Sequence, residues 1–243
     1  MKYLLTVAYD GANYHGFQKQ NNGISVQQVL TEAANGLFGE CRITGCSRTD
    51  SGVHAIGFKA TLECAKTSIP ADKVAIAMNC RLPDDVSVLD SVEVDEDFHP
   101  RYSVKSKEYR YVIHNNPVRD PFLRGRAYHY PRKLDTDRMN KAASCLVGEH
   151  DFSSFMASGS KIEDTVRKIE FCNVVRDGDT VTVCICGNGF LYNMVRIIVG
   201  TLIEISEGRC EPEKMKEIID GADRRLAGPT APPEGLYLYK VDY

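Results

Sequence analysis

The chain has nine cysteines among 243 residues, yet it contains no CxxC pair and no Cys/His cluster with the spacing of a zinc site. A structural metal is therefore not expected, and the cysteines read as reduced thiols that fill gaps in a core. Cys184-Ile-Cys186 places two of them on one face of a strand. The N-terminus lacks the apolar core and small-residue cleavage site of a signal peptide, because Met1-Lys-Tyr-Leu-Leu-Thr-Val-Ala-Tyr9 enters an alternating strand at once. The chain is expected to remain in the cytoplasm, with no membrane partner. Around Gly187-Asn-Gly189 there is neither a Walker lysine nor full GxGxxG spacing, so a nucleotide-phosphate cradle is excluded and the segment reads as a turn into a helix. No residue-level repeat is visible. With 43% hydrophobic and 26% charged residues, neither disorder nor a fibrous repeat fits, and the length allows one large domain or two smaller ones.

A net charge of -3 argues at first against a nucleic-acid partner, but the average hides an uneven distribution. Between His99 and Lys133, nine bases (Arg101, Lys105, Lys107, Arg110, Arg119, Arg124, Arg126, Arg132 and Lys133) face only Glu108 and Asp120. Tyr102, Tyr109, Tyr111, Phe122, Tyr128 and Tyr130 are interleaved with them. Bases that neutralise phosphates and rings that stack on nucleobases make this an RNA-facing strip; a solvated strand face with its aromatics turned to the core would give the same pattern.

The most informative loop is Ser47-Arg-Thr-Asp-Ser-Gly-Val-His-Ala55. It sets one carboxylate, Asp50, between Arg48 and Gly52 on a connection between two strands. An arginine so near can hold the carboxylate ionised and aimed through a forked pair of hydrogen bonds, and Gly52 allows a tight turn. The competing local reading is an Asx-type turn with Arg48 in solvent.

Periodicity supplies the frame. Lys2 to Tyr9 reads as a strand, and Ser25-Val-Gln-Gln28 as a capping box opening a helix with Val26, Leu30, Ala33 and Leu37 on one face, ending near Gly39. Arg42 to Cys46 and Ala55 to Cys64 flank the Asp50 loop, the latter with Ile56, Phe58, Ala60 and Leu62 alternating onto one face. A helix from near Pro70 to Cys80 precedes a strand over Val86 to Val94. Acidic Asp95-Glu-Asp97 and His99-Pro100 mark a boundary between residues 1–98 and 99–243. Beyond it come a strand at Lys107 to Asn115, an aspartate-capped helix over Asp135 to Leu146, and a hairpin of Val166 to Arg176 with Thr180 to Gly187. An apolar helix over Leu191 to Ser206, a shorter one over Pro212 to Asp220 and a final strand at Leu236 to Tyr243 complete the order. The expected fold class is α+β: two α/β-sandwich-like halves with largely antiparallel sheets and a catalytic cleft between them.

Several patches recur as an ordered set: Gly16-Phe-Gln-Lys-Gln20, Ser25-Val-Gln-Gln28, Arg48 to Ala55, Lys107-Glu-Tyr-Arg-Tyr111, Gly148-Glu-His-Asp-Phe152, Gly187 to Arg196 and Gly228-Pro-Thr-Ala-Pro-Pro-Glu-Gly235. In that order, over nearly the full chain, they resemble the TruA family of tRNA pseudouridine synthases. The resemblance implies the pseudouridine synthase fold and isomerisation of uridine to pseudouridine in the tRNA anticodon stem-loop, at positions 38 to 40. It also implies a homodimer and no organic cofactor or metal. The family motif Arg-Thr-Asp-x-Gly-Val-His-Ala maps onto Arg48 to Ala55, making Asp50 the nucleophile, with Arg48 orienting it and helping to displace the base. Its Tyr-x-Tyr strand maps the base-stacking tyrosine onto Tyr109, and its C-terminal helix arginine maps onto Arg196, which would pair with the nucleophile. His54 is assigned a bracing role beside the substrate, and Arg124 and Arg126 bind RNA phosphates. An aspartate at neutral pH can attack the sugar C1′, attack the uracil ring, or abstract a sugar proton, and the sequence does not choose. The target base has to be flipped out of its stack, which is why a ring belongs beside the carboxylate.

Two departures stand out. Ser47 replaces the family's usual glycine, and Gly57-Phe-Lys-Ala-Thr61 replaces a Gln-Val-Ala-His-Phe type strand, so a paralogue acting on a different RNA uridine is one alternative. A catalytically silent tRNA-binding or RNA-folding protein would keep the basic strip but has no need of Asp50, Tyr109 and Arg196. An aspartate-dependent hydrolase lacks a second suitably placed carboxylate.

Overall fold

The computed structural model describes residues 1–159 and 162–243, and the chain is a mixed α+β protein whose strands pair mostly antiparallel. It divides into two compact units, Met1–Lys105 with Leu238–Tyr243, and Ser106–Tyr237.

The first unit contains β1 (Lys2–Tyr9), α1 (Val26–Phe38), β2 (Cys41–Gly45), β3 (His54–Cys64), α2 (Ala71–Asn79) and β4 (Val86–Glu93). Strict alternation along β1 buries Tyr3, Leu5, Val7 and Tyr9 on one face. β1 pairs antiparallel with β3 on one side and β4 on the other, and β2 pairs with the far edge of β3. Ser25 caps α1, its hydroxyl accepting from the Gln28 N–H. The Gln28 side-chain amide donates to Glu32 one turn further along the helix. Gly39, at φ 77°, ends the helix in a backbone conformation that glycine adopts without strain.

The alternation expected along β3 holds for Phe58, Ala60 and Leu62, all fully buried, and fails at Ile56, which is exposed. A β-bulge is the reason. Val7 pairs with Phe58 but Tyr9 pairs with Ala55, so β3 carries one extra residue there and the phase flips. The bulge re-aims the strand just where it receives the Asp50 loop. Gly57, one of the departures from the family pattern, has a local cause. A Cβ there would lie 2.4 Å from the Tyr239 carbonyl oxygen, so only glycine allows that approach.

The second unit contains β5 (Ser106–His114), β6 (Tyr128–His129), α3 (Thr136–Ser144), β7 (Gly148–Asp151), β8 (Val166–Asp177), β9 (Thr180–Gly187), α4 (Met194–Ser206) and α5 (Lys214–Gly221), and β10 (Leu236–Asp242) begins in it. Its strands run in the order β5-β9-β8-β7, with β6 parallel to β5. β8 and β9 form the expected hairpin, turning through Gly178 at φ 54°. Asp135 caps α3 by accepting from the Asp137 and Arg138 N–H groups. Asn140 then pins this helix to β8, donating to and accepting from the Val174 backbone at 2.7 Å each. Asn115, after β5, makes four bonds: its amide donates to the Tyr130 and Arg132 carbonyls and its oxygen accepts from Leu134 N–H and Arg176. It is buried and fully satisfied, and it fixes the chain on leaving β5.

α4 is buried at every position except Arg196 and Glu204. It begins three residues later than the apolar run suggests, because Asn193 sits in the left-handed region at φ 60° and stops the helix from extending backwards.

Candidate active site

Asp50 lies on the turn between β2 and β3, half-buried, and its own carbonyl accepts from the Val53 N–H at 3.2 Å. Gly52 turns the chain at φ 78° and donates its N–H to the Tyr14 carbonyl, while the Ser51 hydroxyl donates to the same oxygen. The segment from Tyr9 to Phe17 holds the other side. The Thr49 hydroxyl accepts from the Phe17 N–H at 3.1 Å and shares a 3.0 Å hydrogen bond with the Tyr9 hydroxyl. Gly16, at φ 76°, brings its backbone so close that a Cβ would lie 2.2 Å from the Thr49 carbonyl oxygen, and a Cβ on Gly11 would lie 1.9 Å from that of Val53. Two glycines thus let one loop clamp the next, and Thr49, adjacent to the carboxylate, is tied at two points.

That tie makes a specific prediction. Thr49→Val keeps the shape and loses the hydroxyl, so kcat on tRNA should fall about tenfold with KM nearly unchanged, since a small misplacement of a reacting group costs rate rather than binding. Thr49→Ser should restore the rate; equal losses in both variants would show that packing of the methyl, not the hydroxyl, is what matters.

Arg48 does not fork onto Asp50. It is exposed, and its Nε donates to Gln18 Oε1. In place of the expected fork, the guanidinium is tethered to Gln18. Ser47 needs no left-handed backbone, since among the described residues only Asn193 and Ala222 are non-glycine residues with positive φ. A side chain is accordingly accommodated at position 47.

His54 is buried at the start of β3, and its Nδ1 accepts from the Gly11 N–H at 2.9 Å. Asp10 Oδ1 lies 3.2 Å from the same nitrogen. The two contacts demand opposite roles of Nδ1, and we take the backbone bond as decisive, because a buried N–H requires an acceptor while Asp10 Oδ1 already accepts from Ala12 N–H. His54 thereby braces the 10–17 segment against β3.

In the second unit, Tyr109 and Tyr111 project from one face of β5, as the alternation requires. Tyr109 is 7% exposed and packs edge-on against Phe190, ring centroids 5.1 Å apart. Tyr111 is fully buried, and its hydroxyl donates to the Pro232 carbonyl at 2.7 Å. Burial pushes that hydroxyl well above the ordinary tyrosine range, keeping it a donor. Gly235 presses on the Tyr111 ring, where a Cβ would lie 2.7 Å from it. Tyr111 thereby fixes the loop 228–235.

This loop in turn fixes Arg196. The guanidinium Nε donates to the Ala231 carbonyl at 2.7 Å, Nη1 donates to Asn193 Oδ1 at 2.8 Å, and the Ala231 N–H donates back to the Arg196 carbonyl. Pro229 approaches α4 so closely that a Cβ on Gly200 would lie 1.8 Å from its carbonyl oxygen, and Gly228 N–H donates to Thr201. Arg196 is the only cation of α4, held by a helix-start asparagine and a proline-rich loop. Motif reading located Arg196 but missed Asn193, Ala231 and Tyr111 as its supports; the Gly228 to Gly235 patch was the available signal.

The basic aromatic strip divides. Tyr111 and Tyr130 are buried with their hydroxyls bonded inward, so the series does not face RNA as a whole, while Tyr102 and Phe122 are exposed. Tyr130 serves the core instead: its hydroxyl donates to Glu207, which Arg132 and Arg209 also hold at 2.8 Å each. Cations stay outward at both ends of the strip, at Arg101, Lys105, Arg132 and Lys133, and in the segment 118–126, where Val118, Arg119, Phe122, Arg124 and Arg126 are all exposed. Asp120 caps a short turn there by accepting from Phe122 N–H, and Gly125 reverses the chain at φ 71°. Arg119 and Arg124 enter no ion pair among the described residues, which leaves their charge available to phosphates. Replacing Arg124 and Arg126 together by alanine should weaken binding evenly across tRNA sequences and flatten the slope of log K against log salt by about 1 to 2. An unchanged slope in a filter-binding titration would place the RNA elsewhere.

Among the described residues no group of three or more His, Cys, Asp or Glu could hold a metal ion, and no helix is long and apolar enough to cross a membrane. The fold and these residues define an α+β enzyme with an aspartate on a glycine-clamped turn and a buried Tyr-x-Tyr strand. The family model described as tRNA pseudouridine synthase matches residues 5–103 and 142–243. The chain is 48% identical to tRNA pseudouridine synthase A of Acetivibrio thermocellus over 98% of both chains. It is 47% identical to that of Ruminiclostridium cellulolyticum, over 100% of this chain and 99% of the relative, and 46% identical to that of Brevibacillus brevis, over 98% and 97%. The chain belongs to the tRNA pseudouridine synthase family.

Proposed function

We propose that this protein isomerises uridine to pseudouridine in the anticodon stem-loop of tRNA, at positions 38 to 40, with Asp50 as the nucleophile. It works as a cytoplasmic homodimer without cofactor or metal. The observation that carries this reading is the Asp50 turn itself, clamped from Tyr9 to Phe17, in a chain of this family.

The reaction exchanges one bond for another at the same sugar carbon. The bond from C1′ to N1 of uracil breaks, the base turns, a bond from C1′ to C5 forms, and the C5 proton leaves while N1 gains one. The Asp50 side chain starts this exchange, and because it is regenerated no other reagent is consumed. Flipping the target nucleotide costs a few kcal/mol, roughly. Arg48, exposed and tethered through Gln18, can swing into the space left in the RNA stack and offset part of that cost. Tyr109, locked against Phe190, gives the flipped base a rigid ring, and its hydroxyl assists removal of the C5 proton. Arg196, held by Ala231 and Asn193, is the cation that this reading pairs with the nucleophile. His54 supports the turn, while Arg124 and Arg126 hold phosphates of the stem.

Nucleotide-resolution mapping of pseudouridine in tRNA treated with the protein tests the assignment. Pseudouridine at 38 to 40 is the expected product. Modification only at other positions would make the protein a paralogue with a shifted target, and tRNA binding with no product would make it a silent RNA-binding protein.

A further inference from the structure

Cys41 and Cys64 face each other directly across β2 and β3. Cys64 turns both main-chain groups toward β1: its N–H donates to the Met1 carbonyl at 3.1 Å and its carbonyl accepts from the Met1 terminal ammonium at 3.0 Å. Cys41 sends its N–H to Asn35 Oδ1 at 2.9 Å. No ladder hydrogen bond is left to join the two residues, which makes them a non-hydrogen-bonded antiparallel pair. In such a pair the Cα atoms lie about 4.5 Å apart and the side chains leave from the same face. A disulfide accepts Cα separations of roughly 4.4 to 6.8 Å. Both thiols are free, Cys64 buried and Cys41 half-buried, and both line a cavity of about 460 Å³ together with Arg42 and Glu63. The cysteines of the β8–β9 hairpin are not matched in this way. Cys172 faces Ile185, Cys184 faces Asn173 and Cys186 faces Phe171.

We propose that Cys41 and Cys64 form a thiol–disulfide exchange site, oxidised to a cross-strand disulfide by low-molecular-weight disulfides such as oxidised glutathione. The more accessible Cys41 loses its proton to solvent and attacks one sulfur of the oxidant, releasing one glutathione thiolate. Cys64, deprotonated in turn, attacks the Cys41 sulfur and releases the second. Two protein thiols are oxidised and one glutathione disulfide is reduced to two thiols, so atoms and electrons balance. Burial pushes the Cys41 thiol up to about 11, so the exchange runs faster as pH rises through 7 to 9 and the thiolate fraction grows. The bond would close the chain segment 42–63, which carries Asp50, and restrict the unfolded chain more than the folded one.

The test uses the wild-type protein incubated with oxidised glutathione at pH 8.5, with free thiols alkylated before peptide mapping. The expected product is a Cys41–Cys64 linked peptide, with a melting temperature raised by about 5 to 10 °C and returned to the starting value by dithiothreitol. Cys41→Ser, at a half-buried position, should lose both the link and the shift, whereas Cys80→Ser, at an exposed one, should keep both. Linkage through other cysteines, a mixed disulfide that stops at Cys41, or a link that lowers the melting temperature would each overturn the proposal.

Discussion

Asp50→Asn is expected to lower pseudouridine formation in tRNA by at least about 10⁴-fold while leaving tRNA affinity within about threefold of wild type. Asparagine has nearly the shape of aspartate, and the turn is held by groups the substitution does not touch. Val53 N–H still meets the carbonyl of residue 50, Gly52 N–H still meets Tyr14, and Thr49 keeps its two hydroxyl contacts. Only the negative oxygen is lost, and with it the group that starts the bond exchange. Turnover and filter binding measured on the same preparation separate the two effects. A variant that turned over at the wild-type rate would remove Asp50 from the chemistry.

The second large effect is expected at Arg196. Arg196→Lys keeps one positive charge but not the planar fork, so the bonds from Nε to Ala231 and from Nη1 to Asn193 cannot both be made. The ammonium is no longer held in one direction, and kcat should fall about 100-fold, the order of loss seen when one preorganised electrostatic contact is removed. Stability should fall by only about 1 to 2 kcal/mol, because one buried carbonyl loses a charged donor. Thermal melting and steady-state kinetics check the two numbers independently. A lysine variant with unimpaired kcat would mean that charge alone suffices and that the clamp from the loop 228–235 has no catalytic purpose.

Much of the frame was legible because periodicity is a local property. The alternation of Tyr3, Leu5, Val7 and Tyr9, the Ser25 cap and the Gly39 stop all depend on residues a few positions apart, and all lie where the sequence puts them. The bulge in β3 was not legible, since it is set by the register against β1 and not by β3 itself, and it moved Ile56 to the surface. The start of α4 was read too early for a similar reason. An apolar run from Leu191 says nothing of the left-handed Asn193, whose side chain serves Arg196.

The site residues were legible as a motif, but their supports were not. Arg48 lay two positions from Asp50, and proximity in sequence suggested a fork; the turn instead points it to Gln18, a residue thirty positions earlier. The interleaved tyrosines of the basic segment looked like one RNA-binding series because composition cannot tell the two faces of a strand apart. Burial separates them: Tyr111 and Tyr130 hold a loop and a carboxylate, while Phe122 is exposed beside Arg119, Arg124 and Arg126.

Asp50 as the residue that begins isomerisation in the anticodon stem-loop is tested most directly by single-turnover tritium release from tRNA labelled at C5 of uridine only at positions 38 to 40. Wild-type protein should release the label in proportion to pseudouridine formed, and Asp50→Asn should bind the same tRNA and release none. Release by the asparagine variant at the wild-type rate, or no release by the wild type from these positions, would contradict it.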